Sequence, residues 1–265
     1  MIKFSFKTSI FKDPIFWGLV CLLILSLPVH FFDRQIFTFL NDLHSPSMDI
    51  LWISFTTLGD GLLICMILGC FLLINPRITF LGLLVFLLTS TAVHVLKYLM
   101  PAARPLEALG FVHITGPLLR WGSFPSGHTA AGFSATLVLM GYARGFLTKA
   151  LILLMGTLIA LSRIFVGAHF PSDVLWGTIC TLTIYYLVQT TLWPKFESSL
   201  PLRPDFSNKV FKFFFYIQVA ISLFGLLIYS TKFAEYTPAA IAISVGVIVF
   251  MCIKLFEIAP LSKNS

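Results

Sequence analysis

The sequence predicts an all-α fold, a polytopic transmembrane helical bundle of about eight spans, and three observations carry that expectation. The 265-residue chain is 58% hydrophobic and only 11% charged, against roughly 25% charged in soluble domains, and its mean hydropathy is +0.94. Apolar windows of the size that a bilayer core demands, about 20 residues, recur at 16–32, 50–74, 78–99, 129–142 with flanks, 147–166, 174–193, 210–230 and 238–255. Finally, the basic residues punctuate these windows and form no stripe with interleaved aromatics. That pattern argues against a nucleic-acid partner despite a formal charge of +7.

Lys3, Lys7 and Lys12 precede the first window. A secretory signal starts in the same way, but Ser26-Leu27-Pro28-Val29-His30 offers no small-residue cleavage site and more spans follow, so the segment reads as an uncleaved anchor. The second window holds an acid, Asp60, between Gly59 and Gly61. Intramembrane acids are functional candidates; Asp60 either pairs with a cation or caps a helix break. The third window carries His94 three residues before Lys97, on one helix face, where it either supports the lysine or packs as an ordinary polar residue. Pro101 and Pro105 end this helix and open the long connector 101–124 with Glu107, His113, Arg120 and Trp121, readable as a lid or headgroup surface or as a passive link.

The fourth and fifth windows follow, and Pro194, Pro201 and Pro204 stop the sixth. The last two form a hairpin turned by residues 231–237. The expected organisation is therefore a membrane core over 1–193, a cytoplasmic linker over 194–209 and a terminal transmembrane hairpin and tail over 210–265.

With the amino terminus inside, Lys3, Lys7, Lys12, Arg77, Arg144, Lys149, Lys195, Arg203, Lys209, Lys212, Lys254 and Lys263 fall on the cytoplasmic side, as the positive-inside rule requires. Arg34, Arg120 and Lys232 face the other way. Cys21, Cys65, Cys70, Cys180 and Cys252 lack metal-type spacing and read as small buried hydrophobes. No feature specifies an oligomeric state.

Three short segments stand out against this apolar background: Lys97 to Pro105 (KYLMPAARP), Pro125 to His128 (PSGH) and Ser162 to Asp173 (SRIFVGAHFPSD). They gather three permanent cations, two histidines and a carboxylate at helix ends on the outer face. Each cation near lipid costs about 2.5 to 3.5 kcal/mol at a helix centre and less toward the ends, so an anion should justify the cluster. Ser126, Gly127 and His128 begin a helix whose unpaired N–H groups and dipole favour anions. Arg104 and Arg163 offer planar forks to phosphate oxygens, and Lys97 a point charge. His169 is the candidate nucleophile, with Asp173 four residues on to orient its imidazole. His128 would protonate the leaving oxygen and then activate water. Such a pair implies a bell-shaped pH profile belonging to coupled groups. Three cations repel a divalent metal, so no metal and no cofactor is expected.

These segments resemble the three-part signature of the type 2 phosphatidic acid phosphatase superfamily, which also includes vanadium haloperoxidases and glucose-6-phosphatase-like enzymes. Lys97, Arg104 and Pro105 match its first motif, Pro125, Ser126, Gly127 and His128 its second, and Ser162, Arg163, His169 and Asp173 its third. The resemblance implies a six-helix phosphatase core over about the first three quarters of the chain, and a metal-independent hydrolase working through a phosphohistidine on His169. The terminal hairpin departs from that pattern. The expected substrate is a membrane lipid phosphate met at headgroup height. A lipid-to-lipid phosphotransferase is the alternative within enzymes, and a non-catalytic phosphate-binding transporter or scaffold outside them, although no paired repeat is visible. Compact loops and the absence of an outward N-x-Ser/Thr acceptor point to a bacterial inner membrane, with the site on its periplasmic face.

Overall fold

A computed structural model describes residues 13–119, 122–232 and 237–258. Lys3, Lys7, Lys12, Arg120, Trp121, Lys263 and the side chain of Lys232 lie outside the described residues. All regular structure among the described residues is helical: α1 (Pro14–Phe31), α2 (Asp33–Asn41), α3 (Pro46–Leu58), α4 (Gly61–Cys70), α5 (Pro76–Leu99), α6 (Pro105–Leu109), α7 (Gly127–Tyr142), α8 (Phe146–Phe165), α9 (Pro171–Leu187), α10 (Trp193–Phe196), α11 (Lys209–Lys232) and α12 (Thr237–Ile258).

A polar cap followed by proline starts several of these helices, because proline at the first position needs no N–H partner and has φ already set. Asp13 accepts from Ile15 N at 2.9 Å ahead of Pro14. Ser45 accepts from Met48 N at 3.3 Å ahead of Pro46, and Asn75 from Arg77 N at 3.2 Å ahead of Pro76.

Five of the described helices, α1, α5, α8, α11 and α12, are long and apolar enough to cross a membrane, and α3 with α4 makes a sixth candidate bent by 63°. The window 50–74 is thus a broken span, with Asp60 at the break. Two other windows give shorter helices: α7 has 16 residues and α9 has 17 before its ladder slips into a π-turn at Val188–Leu192. Both begin at the motif segments.

Helix α7 is the axis of the bundle, packed against α5, α8 and α9. Its run Ala130, Ala131, Gly132, Ser134 and Ala135 is small and buried, and small residues let membrane helices approach closely where no hydrophobic drive exists between apolar partners. A Cβ on Gly132 would lie 2.8 Å from Ile159 Cγ2, and one on Gly156 would lie 2.3 Å from Thr136 Oγ1. Thr181 Oγ1 adds an interhelical bond to the Ala130 carbonyl at 3.2 Å.

The terminal hairpin packs on α4. Leu63, Met66 and Cys70 share one buried cluster with Phe211, Phe215, Tyr229, Val247 and Met251. Gln218 Nε2 donates to the Met66 carbonyl at 3.2 Å, and its amide fills the space that a Cβ on Gly69 would need.

Two alanine substitutions of the same chemistry should therefore differ. Gly156→Ala overpacks the α7–α8 contact and is expected to cost about 1 to 3 kcal/mol, read as a lower unfolding temperature in detergent. Gly246→Ala on α12, where nothing lies within 4 Å of the added carbon, should leave that temperature unchanged or raise it.

Candidate active site

Lys97 on the last turn of α5, Arg104 before α6, Ser126 and Gly127 at the start of α7, Arg163 near the end of α8, and His169 and Asp173 at the α8–α9 turn all meet at one end of the bundle. The basic residues Arg77, Lys149 and Lys195 belong to helix ends at the other.

The cations are held by carbonyl oxygens. Lys97 Nζ donates to Gly122 O at 2.6 Å and to Ser123 O at 3.2 Å. Arg104 donates to the same Gly122 O at 3.2 Å, and to Ala168 O at 2.8 Å. Arg163, only 1% exposed, donates to Thr56 Oγ1 on α3.

Asp173 organises the turn that carries His169. Its Oδ2 accepts from Ser123 Oγ at 2.6 Å and from Phe170 N at 3.0 Å, and lies 3.4 Å from His169 Nδ1. The other ring nitrogen, Nε2, is 3.4 Å from Arg104 NH1. This network assigns the proton to Nδ1 and the lone pair to Nε2. Burial, together with the charges of Arg163, Arg104 and Lys97, holds the His169 imidazole well below its ordinary pKa.

At the head of α7, Ser126 N donates to the Asp173 carbonyl at 2.9 Å. No side chain caps this helix; the Ser126 hydroxyl instead accepts from Thr129 Oγ1 at 3.0 Å. The first amides of the helix thus have no intrahelical acceptor and add a positive dipole end to the cations. His128, half-buried, lies within electrostatic reach of Arg163, His169, Arg104 and Lys97.

The two remaining sequence candidates fall elsewhere. His94 is exposed, and its Nδ1 bonds the Ser90 carbonyl at 2.7 Å, so it shares the helix with Lys97 but not the pocket. Asp60 caps α4, accepting from Leu62 N at 2.9 Å and from Leu63 N at 3.4 Å, and Tyr229 Oη donates to the same carboxylate oxygen. Of the two roles open to Asp60, the structure shows the helix cap.

Several site residues carry no motif. Ser123 stands two residues before the PSGH segment and braces Asp173. Thr56 receives Arg163 across the bundle, a pairing no local pattern announces. Asp33 on α2 accepts from Ser172 N at 2.8 Å and so pins the start of α9. The long connector forms a wall: Arg104, Thr115, Arg163, Gly167 and Ala168 line a small cavity of about 20 Å³ together with Ile114, Pro117 and Leu119. Asn41 fixes that connector, with Nδ2 donating to His113 O at 2.9 Å and Oδ1 accepting from His113 N at 3.0 Å. Gly167 has φ of 74°, and a Cβ there would lie 2.2 Å from the His113 carbonyl oxygen. Only glycine fits where the connector meets the turn that carries His169.

Residues 79–197 match the PAP2 superfamily, and this stretch holds all the motif residues. Among solved structures, Aquifex aeolicus LpxE aligns at 29% identity with a TM-score of 0.56, over 59% of this chain and 93% of that one. A transmembrane PAP2 type phosphatidylglycerolphosphate phosphatase from Bacillus subtilis aligns at 23% identity with a TM-score of 0.52, over 70% of this chain and 96% of that one. No curated protein matches significantly. The motif residues and their convergence agree with these likenesses, which place the resemblance to the PAP2 superfamily in the stretch 79–197.

Proposed function

We propose that this protein is an integral-membrane phosphatase that hydrolyses a lipid phosphomonoester or diphosphate. The observation that carries the reading is the convergence of Lys97, Arg104 and Arg163 on the His169–Asp173 pair at the amide-bearing end of α7. A phosphoryl group there meets three full charges and a helix dipole, and that surplus acts where charge spreads over the transferring oxygens. The likeness to LpxE and to the phosphatidylglycerolphosphate phosphatase supports the same class.

His169 Nε2 attacks phosphorus, forming a P–N bond as the bond to the lipid oxygen breaks. Burial and the same cations hold His128 below its ordinary pKa as well, so His128 takes up its proton as the anionic phosphate enters and then passes it to the leaving oxygen. Asp173 stays ionised, faces the Nδ1–H group and stabilises the imidazolium created by the attack. Water then gives a proton to His128, its oxygen bonds to phosphorus, and the P–N bond breaks to release inorganic phosphate and neutral His169. No step requires a metal, and a divalent cation would have to enter against three fixed positive charges.

A lipid substrate suits the rim. Tyr98, Leu99, Met100, Phe111 and Leu118 are exposed around the connector that follows Lys97, an apolar collar of the kind that sits at headgroup level. The basic residues at the opposite end support a cytosolic position for that end, and with it a site on the periplasmic face of a bacterial inner membrane.

Purified protein should release inorganic phosphate from at least one of phosphatidate, phosphatidylglycerophosphate, polyprenyl diphosphate and a lipid A phosphate. His169→Ala should lower that rate by about a thousandfold or more, the scale on which a lost nucleophile acts, while still inserting and folding. Wild-type turnover in this variant would exclude His169 as the nucleophile, and transfer of label to a second lipid in place of free phosphate would make the protein a phosphotransferase. Excess chelator should leave turnover intact; activity lost to a chelator and restored by magnesium would contradict the charge argument.

The protonation state of His169 sets a pH dependence. Its folded pKa lies below the ordinary value near 6.5, so below that pH the unfolded chain binds a proton that the folded chain refuses. Stability is then lost as pH falls through 6.5 toward the folded value. Nitrogen-15 NMR of histidine-labelled protein should find the His169 ring neutral at about pH 6, where a free histidine is mostly charged. A half-protonated His169 signal there would refute the assignment.

A further inference from the structure

We propose that the terminal hairpin α11–α12 holds the catalytic arginine in place, with Tyr229 and Asp60 as positioning residues that act through the α3–α4 break. This inference rests on the phosphatase reading and gives a role to the two helices that lie beyond the family match at residues 79–197.

The break is where three parts of the protein touch. On its outer side Thr56 accepts from the Arg163 guanidinium. At its centre the chain turns tightly, with Gly59 N bonded to Thr56 O and Asp60 N to Thr57 O, both at 3.0 Å. On its inner side Asp60 caps α4 and receives the Tyr229 hydroxyl from α11. Thr56 and Asp60 are thus the two ends of one short turn, one bonded to the site and the other to the hairpin.

The same turn presses on the proposed general acid. A Cβ on Gly59 would lie 3.0 Å from the His128 carbonyl oxygen and 2.7 Å from Ile159 Cγ2, so the turn is seated against the head of α7 and the flank of α8. A shift of the break moves the acceptor of Arg163 and the seat of His128 together.

Left to itself, a 63° break inside an apolar bundle is not a rigid support. The freed amides of α4 need an acceptor, and a carboxylate buried to provide one needs hydrogen bonds of its own. Asp60 gives the first and Tyr229, 5% exposed in the hairpin cluster, gives the second. Around them Leu63, Met66, Phe215 and Met251 pack the hairpin to α4, so the hydroxyl arrives on a fixed element. Trp52, one turn before Thr56, stacks on Phe165 of α8 with ring centroids 4.0 Å apart and planes 6° apart. That contact ties the outer half of α3 to α8, which leaves the inner end of the turn as the place where the hairpin sets the geometry.

The test compares Tyr229→Phe with Gln218→Met in the full-length protein. Both variants remove one polar contact between the hairpin and α4, but only Tyr229 reaches the break. Three quantities are read: kcat and KM for lipid phosphate hydrolysis, affinity for inorganic orthovanadate, and unfolding temperature in detergent. Tyr229→Phe is expected to lower kcat about 5- to 20-fold and to weaken orthovanadate binding by a similar factor, with KM within twofold of wild type. Gln218→Met should lower the unfolding temperature by as much or more without changing kcat or orthovanadate affinity. Wild-type kcat and orthovanadate affinity in Tyr229→Phe, or equal losses in both variants, would overturn the inference and leave the phosphatase reading standing. Wild-type protein that binds orthovanadate but hydrolyses none of the lipids would sink the phosphatase reading, and the orthovanadate comparison would still decide whether Tyr229 positions Arg163.

Discussion

Two basic side chains share one carbonyl oxygen in this protein, and the rest of the structure is arranged around that constraint. Lys97 and Arg104 both donate to Gly122 O, which leaves their charges no more than about 6 Å apart. At an effective dielectric near 20 such a pair repels by about 3 kcal/mol. Arg163 adds a third positive charge, and the Asp173 carboxylate acts against Lys97 and Arg104. Carbonyl groups from Gly122, Ser123 and Ala168 and a hydroxyl from Thr56 supply the hydrogen bonds. They do not neutralise the charge. Such an excess favours an anion in the pocket on Coulomb grounds, and together with burial it holds the neighbouring His169 imidazole below its ordinary pKa.

Holding like charges together requires rigid elements, and the bundle supplies them through close packing. The small face of α7 brings α5, α8 and α9 near enough for three separate segments of sequence to reach one point. Asp173 connects them: its side chain takes Ser123 Oγ and the Phe170 amide while its carbonyl takes the Ser126 amide. One residue thereby joins the connector, the turn that carries His169 and the head of α7. Behind Arg163 stands the α3–α4 break, and behind the break stands the hairpin.

Much of this was legible in the sequence because the chemistry is local. Lys97, Arg104, Ser126, Gly127, Arg163, His169 and Asp173 lie at helix ends marked by proline and glycine, and charged residues are conspicuous in a chain this apolar. The fold class followed from hydropathy for the same reason. What could not be read depends on pairings distant in sequence. Thr56 looks like any other threonine in an apolar helix until Arg163 is placed against it. Asp60 was visible as an intramembrane acid, but its partner Tyr229 lies 169 residues away. The window 50–74 carries no proline at its centre, yet Gly59 and Gly61 around Asp60 already offered a helix break, and the structure bends there by 63°. His94 shows the reverse case, in which helical spacing put it beside Lys97 while its side chain turned back to its own backbone.

The central claim is that His169 becomes phosphorylated inside this basic pocket. Rapid acid-free quenching of the enzyme with phosphorus-32-labelled lipid substrate, followed by peptide mapping under alkaline conditions, addresses it directly. The account predicts a base-stable, acid-labile phosphoramidate on the peptide containing His169, formed before free phosphate appears and absent in His169→Ala. Full phosphate release with no protein-bound label, or label on any other residue, would contradict it.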